Sequence, residues 1–269
     1  MEMVNLDGLN LHYALEGAAD GLPVVFANSL GTDLRLWDKT IARLPAGLRI
    51  LRYDMRGHGL SDAPKAPYAM GALVRDLEAL MEHLQITNAV VVGLSIGGMV
   101  AQGLAIKRPD LVRALVLSNT AAKIGTKEQW LERVAAVQAG GIEPFADATI
   151  ERWFAPAFRQ SPECAAWRNM VVRTPREGYA GCVAALAGTD FYTPTSGLRL
   201  PVLGIAGGED KSTPPDLVRE TIDLIPGARF ELIQASGHLS CVDQPEIYAR
   251  LLSGFFDSLK GAGQGGVNV

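Results

Sequence analysis

Ala89-Val90-Val91-Val92-Gly93-Leu94-Ser95-Ile96-Gly97-Gly98 is the stretch that decides the fold. A short β-branched run ends in G-x-S-x-G, and Met99 to Lys107 continues as a helix-compatible segment. Alone, G-x-S-x-G is compatible with any tight Gly-rich turn. Between a strand and a helix it has a specific meaning: the turn lifts the serine hydroxyl out at the sheet edge, at a helix N-terminus. There the dipole and free N–H groups stabilise developing negative charge. Ser95 is therefore the candidate nucleophile.

Working outward, Leu9, Leu11, Tyr13 and Leu15 alternate with polar or small residues, which predicts a half-buried strand. Pro23 to Asn28 is a continuous apolar run of the kind buried on both faces. Arg49–Tyr53, Val112–Leu117, Val202–Ala206 and Phe230–Ile233 read the same way. Helical spacings lie between them: Leu73, Leu77, Leu80, Met81 and Leu84; then Leu217, Thr221, Leu224 and Ile225; then Ile247, Leu251, Phe255 and Leu259. Strands alternating with helices predict an α/β fold with a mostly parallel sheet. From Lys123 to Asp190 no buried strand appears, and Trp130, Leu131, Val134 and Val137 have helical spacing, as do Ile150, Trp153 and Phe154. The expected organisation is a core of residues 1–122 and 191–260, a helical insertion at 123–190, and a Gly-rich flexible tail at 261–269.

Composition narrows the class. The 269 residues are 48 % hydrophobic and 20 % charged, which is ordinary globular usage. The net charge of −4 removes any general nucleic-acid footprint. Cys164, Cys182 and Cys241 are odd in number and far apart, so they suggest neither a zinc site nor a redox pair. No apolar run is long enough to span a membrane, and the start lacks a basic leader. A cytoplasmic protein with no nucleic-acid or membrane partner is expected; oligomeric state is not legible.

A serine nucleophile needs a base and a carboxylate to orient it. Of four histidines, His12 lies in an alternating strand and His83 near a helix end, both structural or solvated positions. His58 sits in Arg56-Gly57-His58-Gly59. His238 follows the last strand in Ala235-Ser236-Gly237-His238, where open α/β sheets place reactive groups, and is the preferred base. Gly207-Gly208-Glu209-Asp210 follows the preceding strand, so either carboxylate could serve as the acid. Ser118-Asn119-Thr120-Ala121, the other possible acid position, carries no carboxylate.

With these residues in place, the chain resembles the α/β-hydrolase family over nearly its whole length. The order nucleophile, acid, histidine matches, and the resemblance favours Asp210 over Glu209. Asp54-Met55-Arg56-Gly57-His58-Gly59-Leu60-Ser61 looks like the family's structural D-x-R-G-x-G-x-S loop, which makes His58 a bystander to the chemistry. The oxyanion loop corresponds to Asn28-Ser29-Leu30-Gly31-Thr32, departing from the family's His-Gly-x. Because its donor is a backbone N–H, the departure costs little: Leu30 and Ile96 would supply the two donors. The resemblance implies a mostly parallel eight-stranded sheet flanked by helices, with a helical cap.

Within the family, five segments resemble the 3-oxoadipate enol-lactonase group. Three are the oxyanion loop, the Asp54 loop and the Ser95 turn. The more specific two, Leu117 to Gly125 and Gly178-Tyr179-Ala180-Gly181-Cys182, lie at and inside the insertion. This implies hydrolysis of a small anionic enol-lactone to 3-oxoadipate through an acyl-serine, in aromatic-compound degradation, with no metal or organic cofactor. A carboxylesterase, a C–C hydrolase and a cofactor-free perhydrolase share the triad. A non-catalytic ligand-binding member would be marked by a damaged one.

The insertion holds eight Lys/Arg and eight Asp/Glu, so the acidic excess sits in the core. It also carries Trp130, Trp153 and Trp167. One cap arginine and an aromatic, with Trp153 preferred, are expected to face the substrate beside Ser29. The plainer alternative makes the tryptophans a small cap core and the arginines a solvated face. Cys241, three residues past His238, reads as a small packing residue.

Overall fold

The structure is a computed structural model describing residues 2–261. The segment expected to be a flexible tail lies outside the described residues, apart from the backbone of Gly261. Eight strands form one sheet: β1 (Glu2–Leu6), β2 (Leu9–Gly17), β3 (Leu22–Ala27), β4 (Leu48–Tyr53), β5 (Ala89–Leu94), β6 (Val112–Ser118), β7 (Val202–Gly207) and β8 (Arg229–Ile233). Their order is β1-β2-β4-β3-β5-β6-β7-β8. The pairs β1–β2 and β2–β4 are antiparallel and the rest are parallel.

The two edge strands depart from the pattern reading. Nothing in the sequence marks β1, because only Val4 and Leu6 are even half-buried in it. β8 is not buried on both faces: Arg229, Glu231 and Leu232 are exposed, and only Ile233 is fully covered. An edge strand has one neighbour and partial cover, so an apolar run overstates its burial there.

The helices are α1 (Asp38–Ile41), α2 (Met70–His83), α3 (Ile96–Lys107), α4 (Lys127–Gly140), α5 (Ala146–Trp153), α6 (Pro156–Arg159), α7 (Cys164–Val172), α8 (Arg176–Ala187), α9 (Tyr192–Ser196), α10 (Pro215–Asp223), α11 (Ser240–Asp243) and α12 (Pro245–Gly261). Central strands feed both faces by alternation. Val25 and Ala27 pack with Leu73 and Leu77 of α2 and Met99 of α3. Val24 and Phe26 pack with Trp37 and with Tyr248 and Phe256 of α12. In α12 the series Ile247, Leu251, Phe255, Leu259 is not the buried stripe. Ile247 is 37 % exposed, while Tyr248, Leu252, Phe255, Phe256 and Leu259 are buried. A strict four-residue step drifts about 40° per repeat around a helix of 3.6 residues per turn, so it leaves the core face.

The helices from α4 to α8 lie between β6 and β7. Val137, Ile150, Trp153, Phe154, Trp167 and Val171 join the same apolar cluster as Val24 and Phe26, while Cys182, Ala185 and Leu186 of α8 join that of Val25 and Ala27, so these helices pack against both clusters. Leu131, within a helical apolar spacing, is nevertheless 47 % exposed.

The chain leaves β3 for β4 on one side and returns to β5 on the other. That reversal opens a crevice at the carboxyl ends of β3 and β5, the place where such sheets bind ligands. Close packing at the crevice requires glycine. A Cβ on Gly97 would lie 2.2 Å from the Ala27 carbonyl oxygen, and one on Gly93 would lie 2.3 Å from the Gly97 carbonyl oxygen.

Candidate active site

Ser95 sits between β5 and α3 with φ 59° and ψ −121°. A non-glycine residue is strained there and is held only because its surroundings over-determine it. Its N–H donates to the Ser118 carbonyl at 3.0 Å, and Thr120 Oγ1 donates to the Ser95 carbonyl at 2.6 Å. The side chain is thereby aimed into a cavity of about 360 Å³ under the cap. His238 lines the same cavity, although no hydrogen bond joins Ser95 Oγ to its ring among the described residues.

Behind His238, its Nδ1 lies 2.8 Å from Asp210 Oδ2, which leaves Nε2 for chemistry. Asp210 receives further donors: Asn119 Nδ2 at 2.9 Å, Thr213 Oγ1 at 2.7 Å, and the N–H groups of Ser212 and Thr213 at 2.7 and 3.0 Å. Burial alone would raise the Asp210 carboxyl, but the His238 ring and the Thr213 donors outweigh it and hold it below its ordinary value. Glu209 points to solvent and makes no contact with the ring. Thus the structure places Asp210, not Glu209, against the imidazole.

Asn119 is a residue the sequence reading passed over, because it carries no charge. It occupies the alternative acid position at the end of β6 with φ 46°, and its Oδ1 accepts from Ser118 and Ser240. Its amide therefore has a fixed sense: oxygen toward two hydroxyls, nitrogen toward Asp210.

Leu30 lines the cavity beside Ser95, and Ile96 follows Ser95 directly in the chain. Leu30 N–H has no backbone partner among the described residues, and Ile96 is the first residue of α3, where N–H groups lack an intrahelical acceptor. Ser29 is buried at the cavity wall, with its carbonyl accepting from Thr32. Trp153 is 5 % exposed and lines the cavity, and its carbonyl accepts from Leu239 N–H at 3.0 Å.

His58, set aside as a bystander, is fully buried beside this loop. Its Nε2 accepts the Gly31 N–H at 2.9 Å. Nδ1 therefore carries the proton, toward the Arg56 carbonyl at 3.3 Å. Burial lowers the imidazole's pKa and keeps it neutral, as an acceptor must be. His12 is structural, with Nδ1 2.7 Å from Asp54 Oδ2, and His83 is exposed on α2. Cys241 is buried against the Leu36 carbonyl, away from the cavity lining.

Asp243 also escaped the sequence. Its Oδ2 accepts Gly237 N–H at 2.6 Å and Ala155 N–H at 3.1 Å, tying the His238 loop to the cap. Oδ1 is buried without a partner. Burial pushes this carboxyl up to about 6.

The cavity wall is cationic. Arg133, Arg152 and Lys211 line it, and no Asp or Glu does. A larger cleft of about 780 Å³ between α7 and the Asp33–Lys39 segment holds neither Ser95 nor His238. Among the described residues no cluster of His, Cys, Asp and Glu is placed to hold a metal ion, and no helix is long and apolar enough to cross a membrane.

This arrangement can perform acyl transfer: a hydroxyl lining the cavity, a buried and oriented imidazole, and two backbone N–H groups, Leu30 in the loop after β3 and Ile96 at the N-terminus of α3. Comparison with known proteins agrees with the fold. A family model described as the alpha/beta hydrolase fold matches residues 23–245. The chain is 38 % identical over 240 residues to "3-oxoadipate enol-lactonase 2" of Acinetobacter baylyi, covering 88 % of this chain and 90 % of that one. It is 33 % identical to "3-oxoadipate enol-lactonase 1" of the same organism, over 96 % of this chain and 97 % of the other. The crystal structure of the enol-lactonase from Burkholderia xenovorans LB400 superposes with a TM-score of 0.91 at 34 % identity, covering 95 % of this chain and all 100 % of that one. The resemblance visible in the sequence motifs thus extends along the chain and into three dimensions, and the protein belongs to the α/β-hydrolase family.

Proposed function

We propose that this hydrolase opens 3-oxoadipate enol-lactone to 3-oxoadipate through a Ser95 acyl-enzyme. The observation that carries the chemistry is the shared cavity of Ser95 and His238, with Asp210 hydrogen-bonded behind the ring at 2.8 Å. Support for the lactone comes from relatives of that printed activity at 38 % and 33 % identity. A cavity of about 360 Å³ lies at the small end of ligand pockets, consistent with a compact five-membered lactone.

In this reading Ser95 Oγ attacks the ring carbonyl carbon while His238 Nε2 takes its proton. The oxyanion is held by the Leu30 and Ile96 N–H groups. The ring C–O bond then breaks, and His238 returns the proton to the departing enol oxygen, which tautomerises to the ketone. Water attacks the acyl-serine, passing its proton to His238. The acid leaves and Ser95 recovers its hydrogen.

The test is direct: kcat/KM for the enol-lactone beside that for a neutral 4-nitrophenyl ester, with Ser95→Ala and His238→Ala as controls. A marked preference for the lactone, lost in both variants, is expected. Preference for the neutral ester would move the protein to the esterases of the same fold. Retained lactone turnover in Ser95→Ala would remove the serine mechanism.

A further inference from the structure

We propose that Asp243 is a positioning residue for the base: one of its carboxylate oxygens fastens the His238 loop to the cap, so that the base is in place only when the cap is seated. The proposal rests on the Ser95–His238 chemistry above and adds what holds the backbone of the base in register.

His238 follows β8 in a stretch with neither helix nor strand, so no regular pairing fixes it. Its position depends on bonds to other segments, and the peptide N–H groups on both sides of it make them. Gly237 N–H donates to Asp243 Oδ2 at 2.6 Å, and Leu239 N–H donates to the Trp153 carbonyl at 3.0 Å. The same Asp243 oxygen accepts the Ala155 N–H at 3.1 Å. Both bonds therefore lead to residues 153–155, where α5 gives way to α6 in the cap, one directly and one through Asp243.

Asp243 reaches this point because α11 turns the chain back immediately after His238. Its own N–H donates to the Leu239 carbonyl at 3.0 Å, and its side chain returns to Gly237, six positions earlier. The approach of loop to cap requires glycine: a Cβ on Gly237 would lie 2.6 Å from the Trp153 carbonyl oxygen and 2.9 Å from Phe154 Cα.

Packing alone does not account for an aspartate here. Oδ1 is buried without a partner, and a buried carboxyl with one oxygen unsatisfied costs stability. An apolar side chain of similar size would relieve that cost and lose the bridge. What the carboxylate supplies is a single acceptor for two N–H donors from different segments. Trp153 lines the cavity beside Ser95, so the strip that holds the base is also a wall of the substrate space. Displacing the cap would withdraw that wall and loosen the base together, and catalysis needs its groups within about 0.5 Å of the productive geometry.

The experiment follows 4-nitrophenyl acetate hydrolysis and inactivation by methanesulfonyl fluoride in the wild-type chain, Asp243→Ala, Asp243→Asn and Ala155→Pro, with thermal melts recorded for each. Asn keeps an acceptor for both N–H groups, whereas Ala keeps none. Proline suits the φ of −59° at Ala155, the extended Phe154 before it tolerates a following proline, and the substitution removes the cap's donor. In folded Asp243→Ala and Ala155→Pro, kcat and the inactivation rate are both expected to fall about 10- to 100-fold, with KM within about threefold of wild type. Asp243→Asn is expected to recover both rates to within about fivefold. A purely structural Asp243 predicts lowered melting temperatures with a wild-type kcat per folded chain. That result in Asp243→Ala, or in Ala155→Pro should Asp243→Ala not fold, overturns the proposal. So does an Asp243→Asn chain as slow as the variants that break the bridge. A wild-type chain that methanesulfonyl fluoride leaves active removes the serine reading, and the proposal with it. Failure of the bridge alone shows as a wild type that is inactivated and variants that keep pace with it.

Discussion

Asn119 Nδ2 donates a 2.9 Å hydrogen bond to Asp210 Oδ2. The same oxygen faces His238 Nδ1 at 2.8 Å and accepts from Thr213 Oγ1 at 2.7 Å. An uncharged residue at the end of β6 therefore helps set the carboxylate that orients the His238 ring. Asn119→Ala removes one donor from a buried anion that keeps its others. A loss of about 1–2 kcal/mol, or roughly 5- to 30-fold in kcat, is expected. Steady-state kinetics on a folded variant within twofold of wild type would show that the remaining donors suffice.

The two adjacent carboxylates should separate sharply. Asp210→Asn replaces an acceptor of the His238 Nδ1 proton by a group that can force the wrong tautomer, and a fall of about 10⁴-fold in kcat is expected from the general behaviour of such triads. Glu209 is exposed and unattached to the ring, so Glu209→Gln should leave kcat within about twofold. The opposite ranking would reassign the acid.

His58 holds the loop that carries Leu30, the donor in the proposed mechanism, since its Nε2 accepts from Gly31 N–H. His58→Ala orphans that buried N–H, at a cost of about 1–3 kcal/mol in stability. Loosening the neighbouring oxyanion donor should lower kcat by about 10- to 100-fold with little change in KM. The folded pKa of His58 is depressed, so its stabilising contribution is complete above its ordinary value near 6.5 and declines as pH falls below it. Denaturant melts of wild type and His58→Ala should converge on acidification. A pH-independent difference would contradict a buried neutral imidazole.

Asp243 has the opposite sign. Its carboxyl is raised to about 6, so between its ordinary range and that value the folded chain binds more protons than the unfolded chain. Stability from this site is greatest in acid and declines as pH rises through about 6, by on the order of 3 kcal/mol. Asp243→Asn abolishes the titration and offers an amide NH₂ where Oδ1 lacks a partner. The melting-temperature difference, wild type minus Asp243→Asn, should therefore shrink between pH 4.5 and pH 7.5. A difference that widens would reverse the assignment.

The sequence by itself determined the parts whose signal is local. G-x-S-x-G between an apolar run and a helix is legible because backbone geometry at Ser95 demands small neighbours on either side. The loops ending in Asp210 and His238 are legible because strands β7 and β8 stop just before them. Tertiary structure alone decided which residues meet across sequence distance. Asn119 and Asp210 are 91 positions apart, Gly31 and His58 are 27 apart, and Ala155 and Asp243 are 88 apart. No periodicity links such pairs, since each contact is made by sheet order and cap placement. The same holds for the eight cap bases: composition shows a neutral cap, but only the packing of α4 against α8 and of α5 against α7 turns Arg133 and Arg152 toward the cavity while Arg168 pairs with Glu143 and Asp147. A charge's partner is a property of the space around it, and that space exists only after the chain has folded.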